Sequence, residues 1–271
     1  MKCRIPLFVL FVVLYAHAQK TPAPDGSGSI DSRVLRGIGI FQNGYDQWSR
    51  DSFFKAHEIF TDVVGKAPDS VVGYYWKGVT EFYLVTQALY STDTYKDPDV
   101  AEKYLDQGIE TFEKALEISE SCAECHALLG TLYGIAIAEN PFRAVTLGPR
   151  VQNHMEKALS LDSDNPRIHY LAGMSYLFTP GFLGGGKDKA IDYLQKSESL
   201  YNREQNQTLP PTAPRWGHST ALAFLGRAHE AKGSNQKAVE YFKKALKVNA
   251  QDLIARDGLK RLGDEEPPVT R

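Results

Sequence analysis

Four stretches of this chain read as the opening helix of one and the same helical hairpin. They are YYWKGVTEFYL from Tyr74, HALLGTLYGIA from His126, HYLAGMSYLFT from His169 and LAFLGRAHEAK from Leu222. Each has glycine at its fifth place, namely Gly78, Gly130, Gly173 and Gly226, and three places on stand Glu81, Tyr133, Tyr176 and His229. A glycine on a helix face lets a neighbouring helix approach closely, and a ring one turn further fills the groove between them. A fifth, earlier opening helix is read in IGIFQNGYDQW, with Gly44.

Each opening helix is followed by a second with small and aromatic residues at helical spacing. The last unit has Ala238, Phe242 and Ala245, and the first has Ala56, Phe60 and Val63. Between them come Phe112 and Ala115, Met155 and Ala158, and Ala190 and Leu194. One such hairpin cannot bury its apolar face alone, whereas stacked neighbours share a continuous core. Leu253, Ile254, Leu259 and Leu262 in the charged stretch LIARDGLKRLGDEE suit a final capping helix.

These residues resemble tetratricopeptide (TPR) repeats, whose period is about 34 residues. Leu225, Gly226, His229, Gly233, Ala238, Phe242 and Ala245 carry the resemblance best. It covers residues 36–263 and implies an all-α fold, a TPR-like right-handed superhelix of about five helical hairpins with a C-terminal capping helix. The middle units depart from the pattern through three insertions, STDTYKDPD, AIAENPFRAVTLGPR and TPGFLGGGKDK. The exported character described next and the glycine-rich insertion also resemble periplasmic TPR proteins associated with tripartite solute transporters.

The N-terminus reads as a secretory signal. Lys2 and Arg4 precede the apolar run Leu7 to Tyr15, and Ala16-His17-Ala18 supplies the small-x-small cleavage pattern. Residues 1–18 are therefore expected to be removed, 19–35 to be a flexible segment and 264–271 a disordered tail. The expected location is periplasmic or secreted, and no later apolar stretch is long enough to span a bilayer. With 31 basic against 33 acidic residues, nothing marks a nucleic-acid binder.

Cleavage would leave Cys122 and Cys125 as the cysteines of the mature chain. With His126 they form C-x-x-C-H, the attachment pattern of c-type haem. A haem or redox protein using these three residues is thus the competing functional reading. A local disulfide is favoured over it, because His126 and His169 occupy the same repeat position and His169 has no cysteines before it. Free thiols remain open as well. No metal ligand set follows at finger spacing. Gly181 to Asp188 nearly spells a phosphate-binding loop, but Asp188 stands where a hydroxyl is needed and helix precedes it where a strand should.

By the resemblance, first helices line a concave groove. Its groove-facing residues would be Tyr75, Phe82, Tyr83, Arg167, Tyr170, Met174, Arg227 and Glu230, with Glu124 and Thr131 between. The implied function is an exported, non-enzymatic scaffold that captures a protein or peptide partner, such as an envelope or transporter component. If the groove is open, replacing Arg167 and Tyr170 abolishes capture while unfolding stays nearly unchanged.

Overall fold

A computed structural model describes residues 29–90 and 96–264. The expected signal, most of the expected flexible segment, part of the first insertion and nearly all of the tail lie outside the described residues. Eleven α-helices follow one another and no strand occurs among the described residues. They pair into five hairpins: α1 (Ile30–Gln47) with α2 (Arg50–Lys66), α3 (Val71–Tyr90) with α4 (Pro98–Ile118), α5 (Ala123–Glu139) with α6 (Ala144–Leu161), α7 (Pro166–Phe178) with α8 (Lys187–Glu204), and α9 (His218–Ala231) with α10 (Asn235–Val248). The capping helix is α11 (Leu253–Arg261).

Local chemistry sets the helix starts. Asp97 and Asn165 cap α4 and α7 by accepting from the backbone N–H of Val100 and Arg167. In both helices proline takes the first position, where its missing N–H costs nothing. Ser29, Ser49 and Asp252 cap α1, α2 and α11 in the same way.

The glycines act as expected. A Cβ on Gly78 would stand 2.6 Å from the Phe112 ring, and one on Gly226 2.6 Å from Phe242. A Cβ on Gly173 would meet Leu194 at 2.6 Å. Three residues on, Tyr176 stacks on Tyr193 with ring centroids 5.1 Å apart, and His229 lies on Tyr241 at 5.3 Å. The cap repeats the device from the other side, since a Cβ on Gly258 would meet Phe242 at 2.3 Å.

The first hairpin is shifted from its expected register. Phe60, the counterpart of Phe112 and Phe242, lies against Gly37, while Gly44 packs on Phe53. Gly37 is thus the repeat glycine, and α1 begins at Ile30, inside the stretch expected to be flexible. Two glycines seven residues apart share one helix face, so spacing alone left the register ambiguous.

Two of the insertions form local helical structure. In the third hairpin only Pro141–Arg143 is a 3₁₀ turn, and α6 runs on from Ala144 through Pro149. In the fourth, Gly181–Leu183 forms a 3₁₀ turn and Gly184 takes φ +90°. A Cβ on Gly185 would fall 1.8 Å from the Thr179 carbonyl oxygen, so this turn admits only glycine there.

Candidate functional site: a concave face closed by the chain's own linker

The first helices α1, α3, α5, α7 and α9 form the inner layer, and α3, α5 and α7 pack directly on their next neighbours in it. Their inner residues do not face water. Tyr75 is 9% exposed, and Phe82, Tyr83, Arg167, Tyr170 and Met174 are at most 4% exposed. Six of the eight groove residues are therefore core. Arg227 and Glu230 remain half-buried: Arg227 lies over the rings of Phe178 and Phe224, and Glu230 pairs with Arg261 at 2.9 Å. Glu124 and Thr131 are buried as well.

The concave side is closed by the end of the linker between α8 and α9 (residues 205–217), through Thr212, Trp216 and Gly217. Trp216 is fully buried, with its ring centroid 5.8 Å from that of Tyr83 and 6.5 Å from that of Tyr170. Its indole N–H donates to the Tyr75 hydroxyl at 3.1 Å, and its carbonyl accepts from Tyr201 at 3.0 Å. Trp76 donates to the Thr212 carbonyl at 3.2 Å, and Gly217 N–H donates to the Tyr45 hydroxyl at 3.0 Å. Asn249 also donates to the Tyr45 carbonyl at 3.2 Å. The two ends of the solenoid thus meet across its concave side. The space left between Trp48, Tyr83 and Tyr170 is a cavity of about 10 Å³, room for one water and no ligand.

Beneath the linker lies a buried ionic network. Arg167 donates through Nε to Glu124 at 2.8 Å and through both terminal nitrogens to Glu204 at 3.0 and 2.6 Å. Asn165 donates to Glu124 at 2.8 Å, and Tyr75 donates to its other oxygen. Burial opposes the charge on Arg167, but Glu124 and Glu204 more than offset it and hold its pKa above the ordinary arginine value. Burial, then the charge of Glu124, pushes the Tyr75 pKa well up, which keeps its hydroxyl a donor. The arrangement locks α3, α5, α7 and α8 to the linker.

The cysteine motif is committed elsewhere. Cys122 and Cys125 form a disulfide at the start of α5, and Cys125 is fully buried. His126 Nε2 bonds the Glu120 carbonyl at 3.0 Å, just as His169 Nε2 bonds the Ser163 carbonyl at 2.8 Å. Both histidines thus reach six residues back to the preceding turn. His126 Nδ1 faces His154 Nδ1 at 2.8 Å. Covalent haem would need both thiols free and a ring nitrogen available, so this geometry gives that reading no support. Among the described residues no cluster of three metal-ligating side chains occurs.

The histidine pair contributes to a pH dependence that it shares with His169, His218 and His229, whose pKa values burial also lowers. Burial first, then His126 and Arg150, lowers the His154 pKa to about 4, and burial lowers that of His126. Glu113 and Glu120 pull the other way, and Lys157 adds to the lowering. A histidine whose folded pKa is depressed gives stability that is present above the unfolded value and lost as pH falls toward the folded one. The melting temperature is expected to drop between about pH 6.5 and pH 4, and His154→Asn to flatten that drop. Equal slopes in parent and variant, measured by calorimetry, would exclude the pair as a contributor.

The sequence foretells too little of the linker. By sequence alone Arg215 to Ser219 would start the last repeat, with Trp216 as a packing residue, and nothing singles out Tyr45, Trp76, Tyr201 or Glu204. A clue exists: PPTAPRWG offers three closely spaced prolines, which disfavour a helix interior, followed by one large ring.

Stacked helical hairpins of this kind define the class of helical-repeat proteins, and similarity to known proteins narrows it. A family model described as "Tetratricopeptide repeat" matches residues 219–252, which is the α9–α10 hairpin. Another, "Regulator of microtubule dynamics protein 1-3", matches residues 52–178. Regulator of microtubule dynamics protein 3 of Bos taurus is 27% identical over 153 residues, covering 54% of this chain and 31% of that protein. The Xenopus laevis protein of that name is 25% identical over 158 residues, covering 55% and 33%. The chain thus spans about a third of the length of these relatives. Among solved structures, the HusA haemophore from Porphyromonas gingivalis superposes with TM-score 0.61 at 20% identity, covering 77% of this chain and 96% of that one. A thermophilic TPR protein of Thermus thermophilus gives TM-score 0.60 at 14% identity, covering 87% and 97%. The chain has a TPR-type fold of stacked helical hairpins. No described helix is long and apolar enough to cross a membrane.

Proposed function

We propose that this chain is an exported, non-enzymatic scaffold that captures a peptide segment of a protein partner on its concave face, with its own linker as the resident occupant. One observation carries the reading: residues 212–217 already lie on that face, held by Trp76, Tyr75 and Tyr45. Most of the linker is exposed, and only Trp216 and Gly217 are buried. Displacing it therefore exchanges one aromatic anchor, and a partner that offers an equivalent ring makes up the loss. Export rests on the basic, apolar and small-x-small run of residues 1–18, and a bonded Cys122–Cys125 pair suits an oxidising compartment. A partner in the cell envelope fits that location.

The test uses the full chain and a synthetic peptide of its own residues 206–217. Trp216→Ala is expected to bind the peptide at least tenfold more tightly than the parent does, read by fluorescence anisotropy of a labelled peptide. Absence of binding to a variant that circular dichroism shows folded would make the concave face plain core.

A further inference from the structure

Only two residues stand inside the ring closed by the Cys122–Cys125 disulfide, and one of them is Glu124. Its carboxylate is the hub of the buried network. One oxygen accepts from Asn165 and from Arg167 Nε, each at 2.8 Å, and the other accepts from Tyr75. The Tyr75 hydroxyl in turn accepts the indole N–H of Trp216 at 3.1 Å. Two hydrogen bonds therefore join a residue of the disulfide ring to the anchor of the linker.

The disulfide also takes the place of a cap. Cys122 is the N-cap of α5, yet its side chain bonds none of the first-turn N–H groups, whereas Asp97, Asn165 and Asp252 do so at α4, α7 and α11. The first turn of α5 is held instead by the covalent tie from its cap to Cys125. Sulfur atoms that are no longer bonded must move apart to non-bonded contact. Cys125 is fully buried in the core, whereas Cys122 is half-buried and follows the exposed Glu120 and Ser121. The displacement falls on Cys122 and on the turn that carries Glu124. A loop this short restrains the unfolded chain little, so its opening acts on this turn and leaves the solenoid standing.

We propose that this disulfide is a redox latch on the concave face: its reduction by a protein dithiol releases Trp216 and opens the face to a partner segment. The latch rests on the reading of that face as a capture site. A thiolate of the reductant attacks the Cys122 sulfur, the S–S bond breaks, and Cys125 leaves as a thiolate that takes a proton from water. The reductant's second thiol then displaces Cys122 and closes the reductant's own disulfide. Counting both thiols, two electrons and two protons pass from the reductant to the chain. With the first turn relaxed, Glu124 withdraws from Tyr75, and the indole loses its oriented acceptor. Most of the linker before Trp216 is already exposed, so little else holds it.

Arg215 is exposed but precedes the buried Trp216, so trypsin reports release by cutting between them. The full chain is reduced with dithiothreitol, freed of reductant without air and digested beside the oxidised chain, with the products read by mass spectrometry. Reduction is expected to speed cleavage after Arg215 at least tenfold. Cleavage after Lys237, inside α10, and the far-ultraviolet circular dichroism should stay unchanged. The double variant Cys122→Ala, Cys125→Ala should be cut at the fast rate with no response to dithiothreitol. The labelled peptide of residues 206–217 should bind the reduced chain at least tenfold more tightly than the oxidised one. Equal cleavage after Arg215 in both states overturns the proposal. So does a general loss of helix on reduction, which would make the bond a staple of the whole fold. Faster cleavage after Arg215 without peptide binding upholds the release of the linker and removes the capture reading instead.

Discussion

Arg167→Ala is expected to destabilise the fold by about 3–5 kcal/mol, because it strips the counter-charge from two buried carboxylates. The Arg167 side chain is 5% exposed, and Glu124 and Glu204 are 11% and 18% exposed. Without the guanidinium, Glu124 keeps Asn165 and Tyr75 as donors, but Glu204 loses both bonds from Arg167. For a chain of this size the loss corresponds to roughly 6–20 °C in melting temperature. Arg203→Ala is the control: its pair with Asp164 is 3.5 Å long between largely exposed side chains, so it should change stability by no more than about 0.5 kcal/mol. This reverses the expectation for an open groove, under which Arg167 could be replaced without cost to stability. An Arg167→Ala variant that melts within a degree of the parent would restore that expectation.

Trp216→Ala should cost a similar amount, about 3–5 kcal/mol, through the cavity it leaves among Tyr83, Tyr170 and Tyr75. Trp216→Phe keeps most of the apolar volume but removes the N–H donated to Tyr75, so about 1–2 kcal/mol is expected. Urea unfolding of the two variants separates the packing part from the hydrogen-bond part. Phe142→Ala, at a site 94% exposed, should fall within about 0.5 kcal/mol of the parent. Trp216 and Arg167 are linked through Tyr75 and Glu124, so the double variant should lose less than the sum of the singles. Equal stability of Trp216→Ala and the parent would mean that the linker is not held in the groove.

Much of the solenoid is legible in the chain's own residues. Glycine and ring positions at helical spacing locate the hairpins from Gly78, Gly173 and Gly226 onward, and the last unit coincides with the matched repeat of residues 219–252. These positions are legible because close helix approach is a local demand, met within one hairpin by residues a few turns apart. His126 is likewise explained by its repeat position: its bond to a carbonyl six residues back is the one His169 makes. The first hairpin resists, because Gly37 and Gly44 offer the same face and only the Phe60 ring chooses between them.

The groove residues show where such reading stops. Tyr75, Phe82, Tyr83, Arg167, Tyr170 and Met174, which the resemblance sets on an open groove, are buried among packed side chains. The contacts that close the concave face join Tyr45 to Ser219 and Tyr75 to Trp216, across separations of 174 and 141 residues. A repeating pattern encodes how each hairpin sits on the next, because that interface has the same chemistry every time. It carries no record of the curvature that accumulates over five hairpins, nor of a linker that leaves the period altogether. Those depend on small rotations added along the whole stack, and they become visible only when its two ends are seen to meet.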